Sequence, residues 1–237
     1  MSLWVPARSV QSEWMDRRDN RAEELDAALR DLRLVNRWLG GGRSLLQSFV
    51  ELLPAPAATP VRVLDVGTGG ADLPLALTAA ARRRGVGVEV TALELDPATA
   101  RLAARHAARC PTIRVVQGDA FAPPFPPASF DFVTVSLFLH HFPHAGVVRL
   151  LRGLLGLTRR ALIVNDLRRH RVPWAFIAVA ARLTRRSPMF VHDAPLSVLR
   201  GFTPRELAAA ARASGARRCR LRRRWPFRLV LTLEPNP

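Results

Sequence analysis

Val63-Leu-Asp-Val-Gly-Thr-Gly-Gly-Ala-Asp72 runs an apolar strand into an acid and then into a glycine turn that opens a helix. Gly67, Gly69 and Gly70 permit the positive backbone angles of a tight strand-to-helix turn, and they let a ligand lie against main chain where a Cβ would intrude. Asp65 stands at the carboxyl end of the strand, where it can accept hydrogen bonds from a cationic or hydroxylated ligand. A dinucleotide turn of the G-x-G-x-x-G kind is a poor match. Counting from Gly67 puts Asp72 at the third glycine position and leaves an acid ahead of the first.

The next two strands also end in acids. Residues 86–95, Val-Gly-Val-Glu-Val-Thr-Ala-Leu-Glu-Leu, are rich in β-branched residues, and Asp96-Pro97 then opens a helix over 98–109. Adjacent parallel strands of a doubly wound sheet bring their carboxyl ends to one crevice, so Glu94 there can accept both hydroxyls of a ribose. Asp96 competes for that role but reads as the helix N-cap, with Pro97 at the first helical position. A third strand over 113–116 runs into Gln117-Gly-Asp-Ala120, which brings in Asp119. Each acid taken singly reads as a cap or turn residue. Three in this order, at strand ends separated by helix-length intervals, point to one shared site.

These three segments resemble the cofactor motifs of the class I S-adenosylmethionine (SAM) methyltransferases, over roughly residues 59–237. The usual D-x-G-x-G-x-G has Ala71 at its last position here, a departure that still leaves a small residue against the helix. The resemblance implies SAM as cofactor, with contacts from Asp65, Gly67, Thr68, Gly69, Gly70, Glu94, Leu95, Asp119, Ala120 and Ser136. Within that set Asp119 would accept from the adenine amine and Ala120 would donate its backbone N–H.

Further along, 130–137 is a fourth apolar strand, 161–165 a fifth, and 218–224 with 228–233 a hairpin, which makes seven. Thr203-Pro-Arg-Glu206 is a capping box with proline at the first helical position, and its helix stops at Gly215. Helices alternating with short apolar strands predict an α/β fold, a Rossmann-like doubly wound sheet covered on both faces. The family resemblance adds the antiparallel terminal hairpin. At 237 residues, half of them apolar, the chain is long enough for one such domain and an appendage. We read 59–237 as the SAM domain and 1–58 as a helical appendage. Leu25, Leu29, Leu32, Val35 and Leu39 fall at helical spacing, and Gly40-Gly-Gly42 ends that helix. A second short helix over 44–53 leads into a proline-rich linker, 54–60. Family likeness implies a lid over the pocket; a packing helix without a role in chemistry is the competing reading.

Charge is high and lopsided. The formal net value is +17 and all 36 basic residues are arginine; residues from Arg159 onward carry 18 arginines against four acids, a net of +14. Such a surface favours an anionic partner, nucleic acid or lipid. The plainer reading is a solvated edge, because Arg218, Arg220, Arg222 and Arg224 alternate along one strand. Cys110 and Cys219 are far apart and lack metal-type spacing, so no disulfide framework or zinc site is expected and a reducing, cytoplasmic setting fits. The first residues lack the apolar stretch of a signal peptide. The longest apolar run, 172–183, is too short to span a bilayer.

Methyl transfer from a sulfonium is an in-line displacement in which positive charge disappears, so positioning and a dry pocket supply much of the catalysis. A phenol or enolisable carbon also needs a base with a pKa near neutrality. The fourth strand runs into Leu139-His140-His141-Phe142, which makes His141, slightly preferred, and His140 the candidate bases; helix capping or main-chain bonding is the competing role for either. This segment resembles that of methyltransferases acting on quinones, phenols and polyketides, and the Asn/Asp-Pro-Pro-aromatic motif of amine-directed enzymes is missing. Asp166 at the end of the fifth strand, together with Trp174 and His192 in a long insertion over 167–202, are candidates for substrate contact. The expected partner is a small hydrophobic, aromatic or lipid-tailed acceptor. An RNA methyltransferase using the arginine-rich final third, and a SAM-binding scaffold without catalysis, are the alternatives.

Overall fold

A computed structural model of the chain describes residues 4–17, 21–38, 42–183 and 187–236. Its strands are β1 (Val61–Val66), β2 (Val88–Glu94), β3 (Ile113–Gln117), β4 (Phe130–Ser136), β5 (Thr158–Leu167), β6 (Arg218–Arg224) and β7 (Arg228–Glu234). They form one sheet in the order β3-β2-β1-β4-β5-β7-β6. The first five are parallel, and β7 runs antiparallel between β5 and β6. Strand order reverses between β1 and β4. At such a switch point the carboxyl ends of neighbouring strands leave a crevice.

The helices are α1 (Ala22–Trp38), α2 (Arg43–Leu52), α3 (Asp72–Arg82), α4 (Pro97–Ala107), α5 (His144–Gly156), α6 (Arg171–Leu183), α7 (Pro188–Arg200) and α8 (Pro204–Ala213). Alternation along each strand sends neighbouring apolar residues to opposite faces. Leu64, Val133, Val135 and Leu162 therefore join the core under α5 and α8, while Val63, Val90, Phe132 and Ile163 join the core under α2, α3 and α4. Each such side chain contributes about 1.5–3 kcal/mol on burial. The expected helix starts hold. Thr99 N–H donates to Asp96 at 2.7 Å, and Thr203 and Glu206 cap each other reciprocally.

Several expectations change. Leu45 and Phe49 of α2 are fully buried and Phe49 meets Phe132 edge-on at 5.5 Å, so α2 is part of the sheet's cover. Only α1 and the strap before it, with a 3-10 turn at Trp14–Asp16, lie outside, against α4 and α7. Leu25 of α1 is buried; Leu39, Gly40 and Gly41, at that helix's expected end, lie outside the described residues, as does the Val35 side chain. The fifth strand extends past Asn165 because Asp166 and Leu167 continue to pair with β7. The insertion over 167–202 folds as α6 and α7. On β6, Arg222 reaches Glu51 of α2 at 2.8 Å and Arg224 lies 3.9 Å from it, so that arginine row is partly engaged with α2.

Candidate active site

Gly67 (φ +66°) and Gly69 (φ +55°) take the left-handed backbone expected of the turn between β1 and α3, but Gly70 does not; the third positive angle falls on Ala71, at φ +61°. For alanine that conformation costs about 1–2 kcal/mol. Glycine is required at 67, where a Cβ would stand 2.5 Å from the Phe138 ring. The N–H groups of Gly67 and Thr68 both donate to the Leu93 carbonyl, at 3.0 and 3.2 Å, which ties the turn to the end of β2.

Three acids surround this turn. Asp65 is buried and accepts from Thr68 Oγ1 at 2.8 Å and Thr134 Oγ1 at 2.7 Å; burial nevertheless pushes its carboxyl up to about 7. Glu94 accepts from Gly69 N–H at 2.9 Å with one oxygen, and from the N–H groups of Leu95 (3.0 Å) and Asp96 (3.3 Å) with the other. Burial raises its pKa against these bonds. A carboxylate offers about four acceptor positions, so the oxygen facing Gly69 has capacity for a ligand hydroxyl. Asp119 is exposed at the rim, with one oxygen taken by Phe121 N–H at 2.8 Å. Leu95, Ala120 and Ser136 line the same cleft, and Leu137 beside Ser136 is held at φ +55°.

After β4 the chain makes a 3-10 turn, Leu139–His141, whose carbonyls are held by two arginines. Arg200 donates to His140 O at 3.2 Å and His141 O at 2.6 Å, and Arg8 to Phe142 O at 3.0 Å. This fixes both imidazoles. His140 is buried, with Nδ1 2.7 Å from Asp166 Oδ1 and Nε2 3.6 Å from Glu13 Oε1. Burial opposes ionisation of Asp166, but the charge and hydrogen bond of His140 and the N–H of Leu167 outweigh it, holding the carboxyl below its usual range. With that carboxylate on Nδ1, a neutral His140 keeps its proton there and presents Nε2 as a base. His141 Nδ1 lies 2.8 Å from Asp16 Oδ1.

Glu13 is buried, its Oε1 lacks a hydrogen-bond partner, and burial lifts its carboxyl to about 7. Among the described residues, Glu13, His140 and His141 have ligand-type atoms within 4.8 Å of one another. Arg200 Nε, 3.7 Å from Glu13 Oε1, already places positive charge there and opposes a second cation.

The expected cofactor residues and both histidines line one continuous cleft of about 2820 Å³. That is several times an ordinary small-molecule pocket of about 300–1,000 Å³, so two ligands fit side by side. Three expected substrate contacts are placed elsewhere. Asp166 is fully buried behind His140; Trp174 of α6 is turned away from the cleft; His192 of α7 stacks on Trp14 at 4.2 Å and contacts Asp193 at 2.7 Å. Val172, Phe176 and Ile177 line the cleft from α6 instead. Glu13, Asp16 and Arg200 escaped the sequence reading, because nothing local marks a residue that reaches the site only through tertiary contact.

Residues 63–160 match the family described as "Methyltransferase domain". Over 110 residues, 46% of the chain, it is 36% identical to a demethylmenaquinone methyltransferase of Thermus thermophilus and 38% identical to one of Deinococcus radiodurans. The match spans about half the length of these relatives, 48% and 44%. Among solved structures, magnesium protoporphyrin IX methyltransferase from Synechocystis PCC 6803 with bound SAM superposes with a TM-score of 0.58 at 15% identity, over 87% of this chain and 83% of that one. Residues 63–160 thus match a methyltransferase domain, and the seven-stranded sheet with its antiparallel end is the fold of the class I SAM-dependent methyltransferases.

Proposed function

We propose that the protein transfers a methyl group from SAM to an oxygen or carbon of a small hydrophobic, aromatic or quinone-like acceptor. The observation that carries this reading is His140, which lines the cleft that also holds Glu94 and the glycine turn and is backed by the buried Asp166 at 2.7 Å. The residues suit the cofactor. Open main chain at Gly69 and spare acceptor capacity on Glu94 fit a ribosyl group, and Asp119 with Ala120 at the rim fits an adenine edge. Bound SAM supplies an electrophilic methyl on a sulfonium.

His140 takes the proton of the acceptor's hydroxyl or enolisable C–H on Nε2, and Asp166 holds the ring and stabilises the imidazolium. We place the base at His140 ahead of His141 because its carboxylate partner is fully buried, whereas Asp16 beside His141 is half-exposed. Glu13, with a carboxyl near neutrality, is placed to receive charge or a proton from Nε2. Phe138, Phe142 and Phe190 give the acceptor end of the cleft apolar walls, which exclude water where charge is lost. The strap around Glu13 and Asp16 together with α1 serves as the lid. The names of the curated relatives support a quinone-like acceptor.

Turnover of methyl-labelled SAM against demethylated quinones, phenols and short RNAs tests the reading. Product from a phenol or quinone is expected, with a loss of about 10²–10⁴-fold in His140→Ala. Methylation of RNA alone, or full activity in His140→Ala, would overturn it.

A further inference from the structure

Helix α6 is apolar on its outer face as well as its inner one. On a soluble helix the apolar stripe faces the core and the polar residues face water. In α6, Ile177 and Ala181 are buried, yet Val172, Phe176, Val179 and Leu183 are exposed, Phe176 at 60% and Leu183 at 77%. At about 100° per residue these four fall within about 60° of arc, a continuous ridge along the outer face. Arg171 and Arg182, both exposed, lie beside it.

The ridge does not stand alone. Trp225, at the tip of the β6–β7 hairpin, is 85% exposed, and Trp4 is exposed as well. A series of ring contacts joins them to the start of α6: Trp4 to His170 at 6.2 Å, His170 to Phe227 at 5.2 Å and Phe227 to Trp225 at 6.1 Å. Three distant chain segments thus carry their exposed apolar groups to one region. That region is the rim of the cleft, since Val172, Phe176 and Trp225 also line it. Exposed apolar groups gathered in one region mark an interaction surface, whereas singly scattered ones do not.

We propose that this face docks on the surface of an anionic lipid bilayer, with the α6 ridge, Trp225 and Trp4 inserted at the headgroup level. Charge selects the occupant: the segment from Arg159 onward carries a net +14, and within it the exposed Arg171 and Arg182 flank the ridge and the exposed Arg223 stands near the hairpin tip. Arginine and tryptophan are suited to the boundary, the one reaching phosphate while its stem lies on apolar surface, the other placing an amphipathic ring at the interface. The helix lies on the membrane and does not cross it. Its 13 residues extend about 20 Å against a hydrocarbon core of about 30 Å, and no described helix is long and apolar enough to span. The cleft would then open toward the lipid, so that an apolar acceptor could enter without crossing water.

The test is independent of turnover, so its failure is distinguishable from failure of the methyl-transfer reading. Co-sedimentation with vesicles of phosphatidylcholine, with and without phosphatidylglycerol, compares the wild type with Val179→Ser/Leu183→Ser and with Arg171→Gln/Arg182→Gln. None of the four lies in the cleft and all are exposed, so thermal midpoints should stay close to wild type. We expect binding only when phosphatidylglycerol is present, falling with salt, and at least about tenfold weaker in each double variant. Absence of binding to anionic vesicles, or wild-type affinity in Val179→Ser/Leu183→Ser, overturns the proposal. So does sedimentation as a dimer that this variant dissociates, because the ridge would then be a self-association face.

Discussion

Replacing Glu94 separates a ligand-binding role from a structural one, because the two make opposite demands on stability. Its carboxylate sits at the carboxyl end of β2 with three backbone N–H partners, and burial holds its pKa above the usual value. A raised carboxyl pKa means that the fold binds the proton more tightly than the unfolded chain does. The associated stability is present below the unfolded pKa and is lost as pH rises through the folded one. At neutral pH the ionised side chain is therefore a cost to the fold, and Glu94→Gln should leave the thermal midpoint equal or higher. Ligand affinity should move the other way. One charge-assisted hydrogen bond from a ribose hydroxyl contributes about 1.5–3 kcal/mol, so its loss weakens SAM binding about 10- to 150-fold. Glu94→Ala should reach the upper end, since it also releases Gly69. Titration calorimetry with SAM and with S-adenosylhomocysteine, beside thermal melts of the unliganded proteins, gives both quantities. A Glu94→Gln protein that melts normally and binds SAM within about threefold of wild type would refute the assignment.

Other substitutions probe the acid-base pair, the strap and the turn. Asp166→Asn keeps the shape behind His140 but offers it an amide, disturbing the tautomer; kcat should fall by about 10²-fold or more with SAM affinity unchanged, and an unaltered pH–rate profile would argue against the pair. Glu13, lifted from 4.5 to about 7 by burial, contributes stability below about pH 4.5 that disappears as pH rises through 7, on the order of 3 kcal/mol. Glu13→Gln should therefore narrow the gap between melting temperatures at about pH 5 and pH 8; Asp65, shifted in the same direction, leaves part of the gap in place. Ala71→Gly relieves a left-handed alanine and should stabilise by up to about 1 kcal/mol, the strain released being offset by the freer unfolded chain. A lower melting point in that variant would mean that the buried methyl contributes more by packing than the angle costs.

The chain declared its sheet and the glycine turn with its acids locally, and the reason is geometric. A parallel strand buried on both faces must be an apolar run, and a turn against a ligand must be glycine-rich, so β1, β2 and β4 with Asp65, Gly67, Gly69 and Glu94 are legible one segment at a time. Helix caps at Asp96 and Thr203 are legible for the same reason, since donor and acceptor lie within three residues. What remained hidden depends on contacts between residues far apart in sequence. Asp166 read as a substrate contact because it follows a strand; only packing shows it buried behind His140, 26 positions earlier. Glu13 and Asp16 approach the histidines across more than 120 residues, and Arg200 holds them from the far end of α7. The apolar run over 172–183 is visible in the sequence, but not which of its residues the fold covers. Sequence alone determined which residues must turn, cap or fill the sheet; tertiary structure decided which charges meet and which apolar face stays outside, because those outcomes are set by neighbours the local chain does not contain.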